Sequence, residues 1–180
     1  KFFKLILPFF TLFNILNMAF SSASSTGDEK TANIIEKLSC LMRYMFYDSN
    51  ADRVDISKEI NYIENYISLQ KLRLSSDIPV NIRFNIVGEL GSLRIAPLIL
   101  IPFVENAFKY GIKLEKKSDI IIRLELQNSK VNFSAENVNF KTDNPDFKMD
   151  TGVGLKNVKK RLDLIYPQKH SLNISEEDSK

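Results

Sequence analysis

Tryptophan is absent from the chain, and histidine and cysteine occur once each. The lone cysteine, Cys40, excludes an intramolecular disulfide and fits a reducing compartment. The lone histidine, His170, argues against a multi-histidine metal site and against catalysis by a histidine dyad. Neither sign of charge prevails: 25 Lys and Arg against 22 Asp and Glu leave a net +3 over 180 residues. No dense Lys/Arg block occurs, so nucleic acid is not an expected direct partner. A membrane helix needs about 20 apolar residues, and the N-terminal run at 5–20 offers 16 largely apolar positions. Asn14 and Asn17 interrupt even that run. Lys1, Lys4, the run and Ser21-Ser22-Ala23 fit the outline of a cleaved signal peptide. The missing initiator Met argues instead that the chain begins mid-protein, and a single helix accounts for the run equally well.

What is present is an ordinary globular balance, 44% hydrophobic and 26% charged, with 13 phenylalanines. This length suits one compact domain plus an appendage, or two small units. Residues 5–20 read as a helix, and 21–28 (SSASSTGD) as a polar turn around Gly27. From 29 to 48, Ile34, Ile35, Leu38, Leu41, Met42, Met45 and Phe46 recur at threes and fours, a helical stripe. SNADRVDI breaks it. Ser57 then reads as the N-cap of a third helix with Glu59 in its first turn, running to Leu74. After SSDIP the period changes to two: Val80, Ile82, Phe84 and Ile86 alternate with polar residues, a strand. Residues 98–109 read as a helix with Pro97 in its first turn and Gly111 at its stop. Residues 119–126 and 131–135 make a hairpin through QNSK. A polar stretch, 138–151, has the length of a functional lid or a disordered loop. Gly152 and Gly154 lead into the helix GLKNVKKRLDLIY, and SLNIS (171–175) reads as a last strand. The fold class is therefore α+β, with an all-helical part at 1–74 and a mixed part at 75–180.

Three short patterns hold residues able to do chemistry. In VENAFKYGI (104–112), Asn106, Lys109 and Tyr110 lie at i, i+3 and i+4 and share one helix face. An amide oxygen holds a hard cation such as Mg²⁺, an ammonium meets a phosphate, and a phenol ring covers a base. A solvated face with a Glu105–Lys109 pair explains the same spacing. In TGVGLKN (151–157), two glycines before a helix let backbone N–H groups approach a phosphate; a hinge explains them too. In SAENV (134–138), Glu136 stands at a strand end, where a carboxylate accepts from an exocyclic amine or is merely solvated.

The order of these parts resembles the sensor histidine kinases of the LytS type, whose ATP-binding domain belongs to the GHKL superfamily. ISKEINYIENYISLQKLRL is similar to the linker helix into the ATP domain. RIAPLILIPFVENAFKYGI is similar to the N-box helix, and TGVGLKNVKKRLDLIYPQKH to the glycine-rich G2 box and its helix. The resemblance implies that Asn106 binds the Mg²⁺ bridging the phosphates of ATP, that Lys109 touches phosphate, and that Tyr110 stands where the family has His or Tyr. Glu136-Asn137-Val138 takes the place of the Asp-containing step that reads adenine. Residues 138–151 would be the ATP lid. Gly152, Gly154 and Leu155 of the G2 box, with Asn157 nearby, would line the nucleotide. Arg161 reads as a helix-surface charge or a phosphate contact, and His170 as structural.

The family's phosphoacceptor motif reads close to N-P-H-F-L-F-N-x-L-N. Anchored on LFNILN (12–17), this chain puts Phe10 at the histidine position; anchored on Pro8, it puts Phe9 there. Phosphoryl transfer to a side chain needs a nucleophile, and phenylalanine has none. The expectation is an ATP site that is largely intact in a chain that does not autophosphorylate on the usual histidine. Helices 1 and 2 would form a dimeric four-helix bundle with a second chain, and 75–180 a GHKL-type α/β sandwich truncated at its C-terminus. The expected setting is the cytoplasmic part of a bacterial plasma-membrane protein, with a membrane sensor region upstream and a LytTR-type response regulator as partner. The competing expectations are a non-catalytic ATP-binding scaffold and a secreted binding domain.

Overall fold

The structure is a computed structural model that describes residues 3–74, 78–113, 116–138 and 153–175, with side chains for all of these but 3–9 and 153. Two compact units result, one of Lys1–Asn50 with Ile60–Leu74 and one of Ala51–Glu59 with Ser75–Lys180.

In the first unit, helices α1 (Phe3–Ser25) and α2 (Glu29–Phe46) pack on each other. The break between them is shorter than its polar composition suggests. Serine and alanine continue the helix, and the hydroxyls of Ser25 and Thr26 donate back to the Ser22 carbonyl at 2.8 and 3.1 Å. The stop comes at Gly27, φ 73. There Gly27 N and Asp28 N donate to the carbonyls of Ser24 and Ala23 at 3.2 and 2.9 Å. That pattern satisfies the last carbonyls of a helix and requires a left-handed residue, which glycine supplies without strain. Asp28 then caps α2, its Oδ1 accepting from Thr31 N at 3.0 Å. The hydrogen bond from Thr31 holds the Asp28 carboxyl below its ordinary range. The stripe of α2 buries Ala32, Leu41 and Tyr44. Helix α3 (Ile56–Arg73) starts one residue ahead of Ser57, which therefore lies inside the helix and not at its cap. Aromatic pairs join the helices at tilted angles: Phe13 with Tyr47 at 6.0 Å and Tyr44 with Tyr62 at 5.2 Å between ring centres.

The second unit holds a three-stranded sheet in the order β2 (Val80–Val87), β4 (Ser118–Gln127), β5 (Lys130–Asn137). Strands β2 and β4 run parallel, and β4 and β5 antiparallel. A smaller pair joins β1 (Val54–Asp55), just before α3, to β3 (Arg94–Ile95). The β4–β5 hairpin closes through Asn128 and Ser129 at φ 49 and 62, two left-handed residues between the paired Gln127 and Lys130. Such two-residue turns match the right-handed twist of the strands they join, and asparagine tolerates the conformation well. Ser118, Ile120, Ile122, Leu124 and Leu126 alternate onto the buried face of β4. Helix α4 (Ile101–Gly111) packs on β4 and β5, burying Ile101, Val104, Ala107 and Phe108. Helix α5 (Val153–Ile165) touches α4 and buries Val158.

The architecture is mixed α+β, as the two periodicities imply. Three expectations on boundaries need correction. Helix α4 begins at Ile101, not 98, and its first-turn proline is Pro102 rather than Pro97, because the 97–100 stretch is a turn whose amides and carbonyls bond elsewhere. Gly111 is the last residue of the helix and not the residue past its end. It is small for a steric reason: a Cβ there would lie 2.6 Å from the Cβ of Asn137 and 3.3 Å from Ile120 Cγ1. Residues 171–175 form no strand. The chain leaving α5 is tied back on the helix end, with Lys169 N donating to the Tyr166 carbonyl at 3.0 Å and the His170 ring 2.9 Å from the same oxygen.

Candidate functional site

Helix α4 owes its amphipathic form to apolar residues at 101, 104, 107 and 108, which fix its inner face on the sheet. That leaves Asn106, Lys109 and Tyr110 together on its flank, all three half-buried. Lys109 Nζ lies 5.4 Å from the centre of the Tyr110 ring, within the range of a cation–π contact. The contact of Gly111 with Asn137 brings the end of β5 against the end of α4. Asn137 pairs with Ile120 in the register and so belongs to the sheet face that α4 covers. Its Nδ2 donates to the Val138 carbonyl at 3.1 Å.

Glu136 stands on the other face. It pairs with Ile121, and its Oε1 accepts from Arg123 on β4 and from Ser134 Oγ at 3.5 Å. Alternation along a strand enforces this: if Asn137 faces α4, its neighbour faces away. The structure thus groups Asn137, not Glu136, with the α4 residues. Gly154, Leu155 and Asn157 lie in the first turns of α5, Leu155 half-buried and the other two exposed. A Cβ at Gly154 would meet nothing within 4 Å among the described residues, so none of these demands glycine there. Gly152 and residues 139–151 of the expected lid lie outside the described residues.

Among the described residues, no group of three or more His, Cys, Asp or Glu side chains is placed to hold a metal ion by itself. On the α4 flank the Asn106 amide oxygen is a possible ligand to a hard cation, and the Lys109 ammonium, which has no lone pair, is not. Beside Asn106, desolvation pushes the Glu105 carboxyl above the ordinary carboxylate range, although one side of the residue stays exposed. His170 has a structural setting, with Nε2 3.2 Å from Asp163 Oδ1 and Nδ1 on the Tyr166 carbonyl.

Sequence reasoning missed the residues around the start of α4. Arg161 is half-buried rather than a free surface charge, and it donates to the carbonyls of Pro97 and Leu98 at 2.6 and 3.3 Å. Glu59 is not just a first-turn acid; it is 1% exposed and accepts from the amides of Leu98 and Leu100. The one available signal was composition: a carboxylate and a guanidinium on otherwise ordinary helices reveal a backbone partner only once the turn between them is known.

Residues 6–78 match the family model described as histidine kinase. Over 99 residues, 55% of this chain, the sequence is 32% identical to the sensor protein kinase HptS of Staphylococcus aureus, in strains USA300, NCTC 8325 / PS 47 and COL. The match takes in 18% of HptS, so this chain is similar to a minor part of that protein. Both matches are to histidine kinases, each over part of this chain.

Proposed function

We propose that this chain is the cytoplasmic part of a LytS-type sensor histidine kinase, with a GHKL-type sandwich that binds ATP and Mg²⁺. The observation that carries the reading is the half-buried flank of α4, where Asn106, Lys109 and Tyr110 stand together and Asn137 closes in from β5. Asn106 would hold Mg²⁺ through its amide oxygen and Lys109 would meet phosphate, with Tyr110 and Asn137 beside the base. Gly154, Leu155 and Asn157 at the start of α5, with Gly152 just before it, would complete the phosphate side. Glu136 would read adenine only through a change of strand face, so its contribution is to fix β5 on Arg123. ATP supplies the phosphoryl group; the residues of this chain bind, orient and shield it. In the intact protein, α1 and α2 would pair with those of a second copy in a four-helix bundle, a membrane sensor region would precede them, and a response regulator, of the LytTR type, would be the partner whose aspartate takes the phosphoryl group from a phosphohistidine, which a phenylalanine at the acceptor position cannot form.

Isothermal titration with ATP tests this. A saturable isotherm in Mg²⁺ is expected, weakened by chelation and reduced roughly tenfold or more by Asn106→Ala, which removes a ligand to a charged partner. No heat of binding at millimolar ATP would sink the reading.

One observation favours a second reading. Phe10, which the LFNILN alignment puts at the acceptor position, is 61% exposed and has no nucleophilic atom. A non-catalytic scaffold, binding ATP and acting through dimerisation with an active kinase, accommodates that residue. The two readings part on labelling of Phe10→His, which the kinase reading expects to gain a phosphoryl group and the scaffold reading does not.

A further inference from the structure

The stretch from Arg94 to Leu100 is where three separated parts of the second unit converge. Ala96 N donates to the Tyr166 hydroxyl at 2.7 Å. Leu98 N and Leu100 N donate to the two carboxylate oxygens of Glu59 at 2.6 and 3.4 Å. Arg161 donates to the carbonyls of Pro97 and Leu98. Arg53 lies over the Tyr166 ring, 4.2 Å from its centre, and its carbonyl accepts from Arg94 at 2.6 Å. Donors and acceptors of one short turn are thus met by the first turn of α3, by α5 and by the residue that follows α5, with Arg53 braced against the last of these.

The turn is costly to hold. Leu98 has φ 54, a left-handed conformation that strains a residue with a Cβ. Such strain persists where the surroundings over-determine it, and it clusters at functional sites. Glu59 is buried, and a buried carboxylate is tolerated only with its hydrogen bonds made. The turn opens directly into α4, and Asn106 follows within two helical turns. The helix that carries Arg161, with Tyr166 just past its end, also carries Gly154, Leu155 and Asn157 at its other end. One clamp therefore sets both the start of α4 and the lie of α5.

We infer that Glu59 and Arg161 are positioning residues for nucleotide: by gripping the 97–100 turn from two sides they hold the Asn106–Lys109 flank in register with the first turns of α5. The inference rests on the proposed nucleotide site.

The test is titration of the whole chain with Mg–ATP, alongside thermal unfolding without nucleotide. Glu59→Gln keeps one acceptor of two, and Arg161→Lys keeps the charge but not the fork that spans two carbonyls. Each is expected to weaken Mg–ATP binding roughly five- to tenfold, within the usual range of remote coupling. The double variant is expected to be no more than about twofold worse than the worse single one, because both act through one turn. A merely structural role would lower the unfolding temperature and leave the affinity of the folded chain unchanged; that result overturns the inference, as does a double variant whose losses multiply. If Glu59→Gln does not fold, Arg161→Lys is paired with Leu98→Gly, which keeps the turn's backbone shape. Binding within twofold of the native chain by Arg161→Lys then overturns the inference. Absence of Mg–ATP binding by the native chain removes the nucleotide reading itself, an outcome distinct from native binding that the variants leave intact.

Discussion

Glu105 neighbours the amide expected to hold Mg²⁺, and its raised carboxyl shows how the flank treats charge. Desolvation is the cause, so the folded state binds this proton more tightly than the unfolded chain does. The ionisation cost is absent below the ordinary value of 4.5 and appears as pH rises through the raised one. Glu105→Gln removes the cost. Because the residue keeps an exposed side, solvent screens most of the effect. The unfolding temperature of the variant should exceed that of the native chain at neutral pH, by roughly 1–2 °C. The gap should close once pH falls below 4.5, where the native carboxyl is neutral in both states. A gap that stays constant across that range would place the effect elsewhere. Spacing alone reads Glu105 as the partner of Lys109, and it cannot foresee desolvation, which depends on what packs beside the helix.

At the scale of elements, period and punctuation were readable, and register and caps were less so. The alternation in Val80–Val87 and the hairpin at Asn128-Ser129 follow directly from residue order. The start of α4 does not. Pro97 and Pro102 both qualify as first-turn prolines, and the choice falls to Glu59 and Arg161, which are remote in sequence and draw the 97–100 backbone out of helix. Glu136 shows the same limit, since its strand was legible but the face it takes depends on pairing with Ile121. The turn between α1 and α2 was nearly legible. Gly27 marks it, but serines before it continue α1 and shift the stop by several residues. That glycine is needed for its backbone, since a Cβ would meet nothing within 4 Å at φ 73. Gly27→Ala is therefore expected to destabilise the chain by about 1 kcal/mol, and Gly27→Asn by less, because asparagine visits the left-handed region more readily. Denaturant titration measures both; equal losses would point to packing and not to backbone conformation.

For the whole molecule, the resemblance to a kinase lies in the order of parts. The histidine kinase match takes in α1, α2 and α3, which hold LFNILN and the linker-like helix, while the α4 flank and α5 lie beyond it. Phe10 belongs to one compact unit and Asn106 to the other, so transfer from one to the other asks whether the two units, of one chain or of two copies, can meet. A single substitution poses that question. Phe10 is exposed on α1, so Phe10→His places an imidazole in solvent with a pKa near 6.5, and at pH 8 it is a neutral nucleophile. The alternative alignment puts Phe9 there, whose side chain lies outside those described. Incubated with ATP labelled at the γ-phosphate, Phe10→His should gain acid-labile, base-stable label, and the native chain should gain none. Adding Asn106→Ala to Phe10→His should abolish the label if the α4 flank holds the donor. Label of that chemistry on the native chain would overturn the reading of Phe10. Nucleotide binding without label on Phe10→His would favour the scaffold, because a restored nucleophile and an occupied site would then still fail to meet.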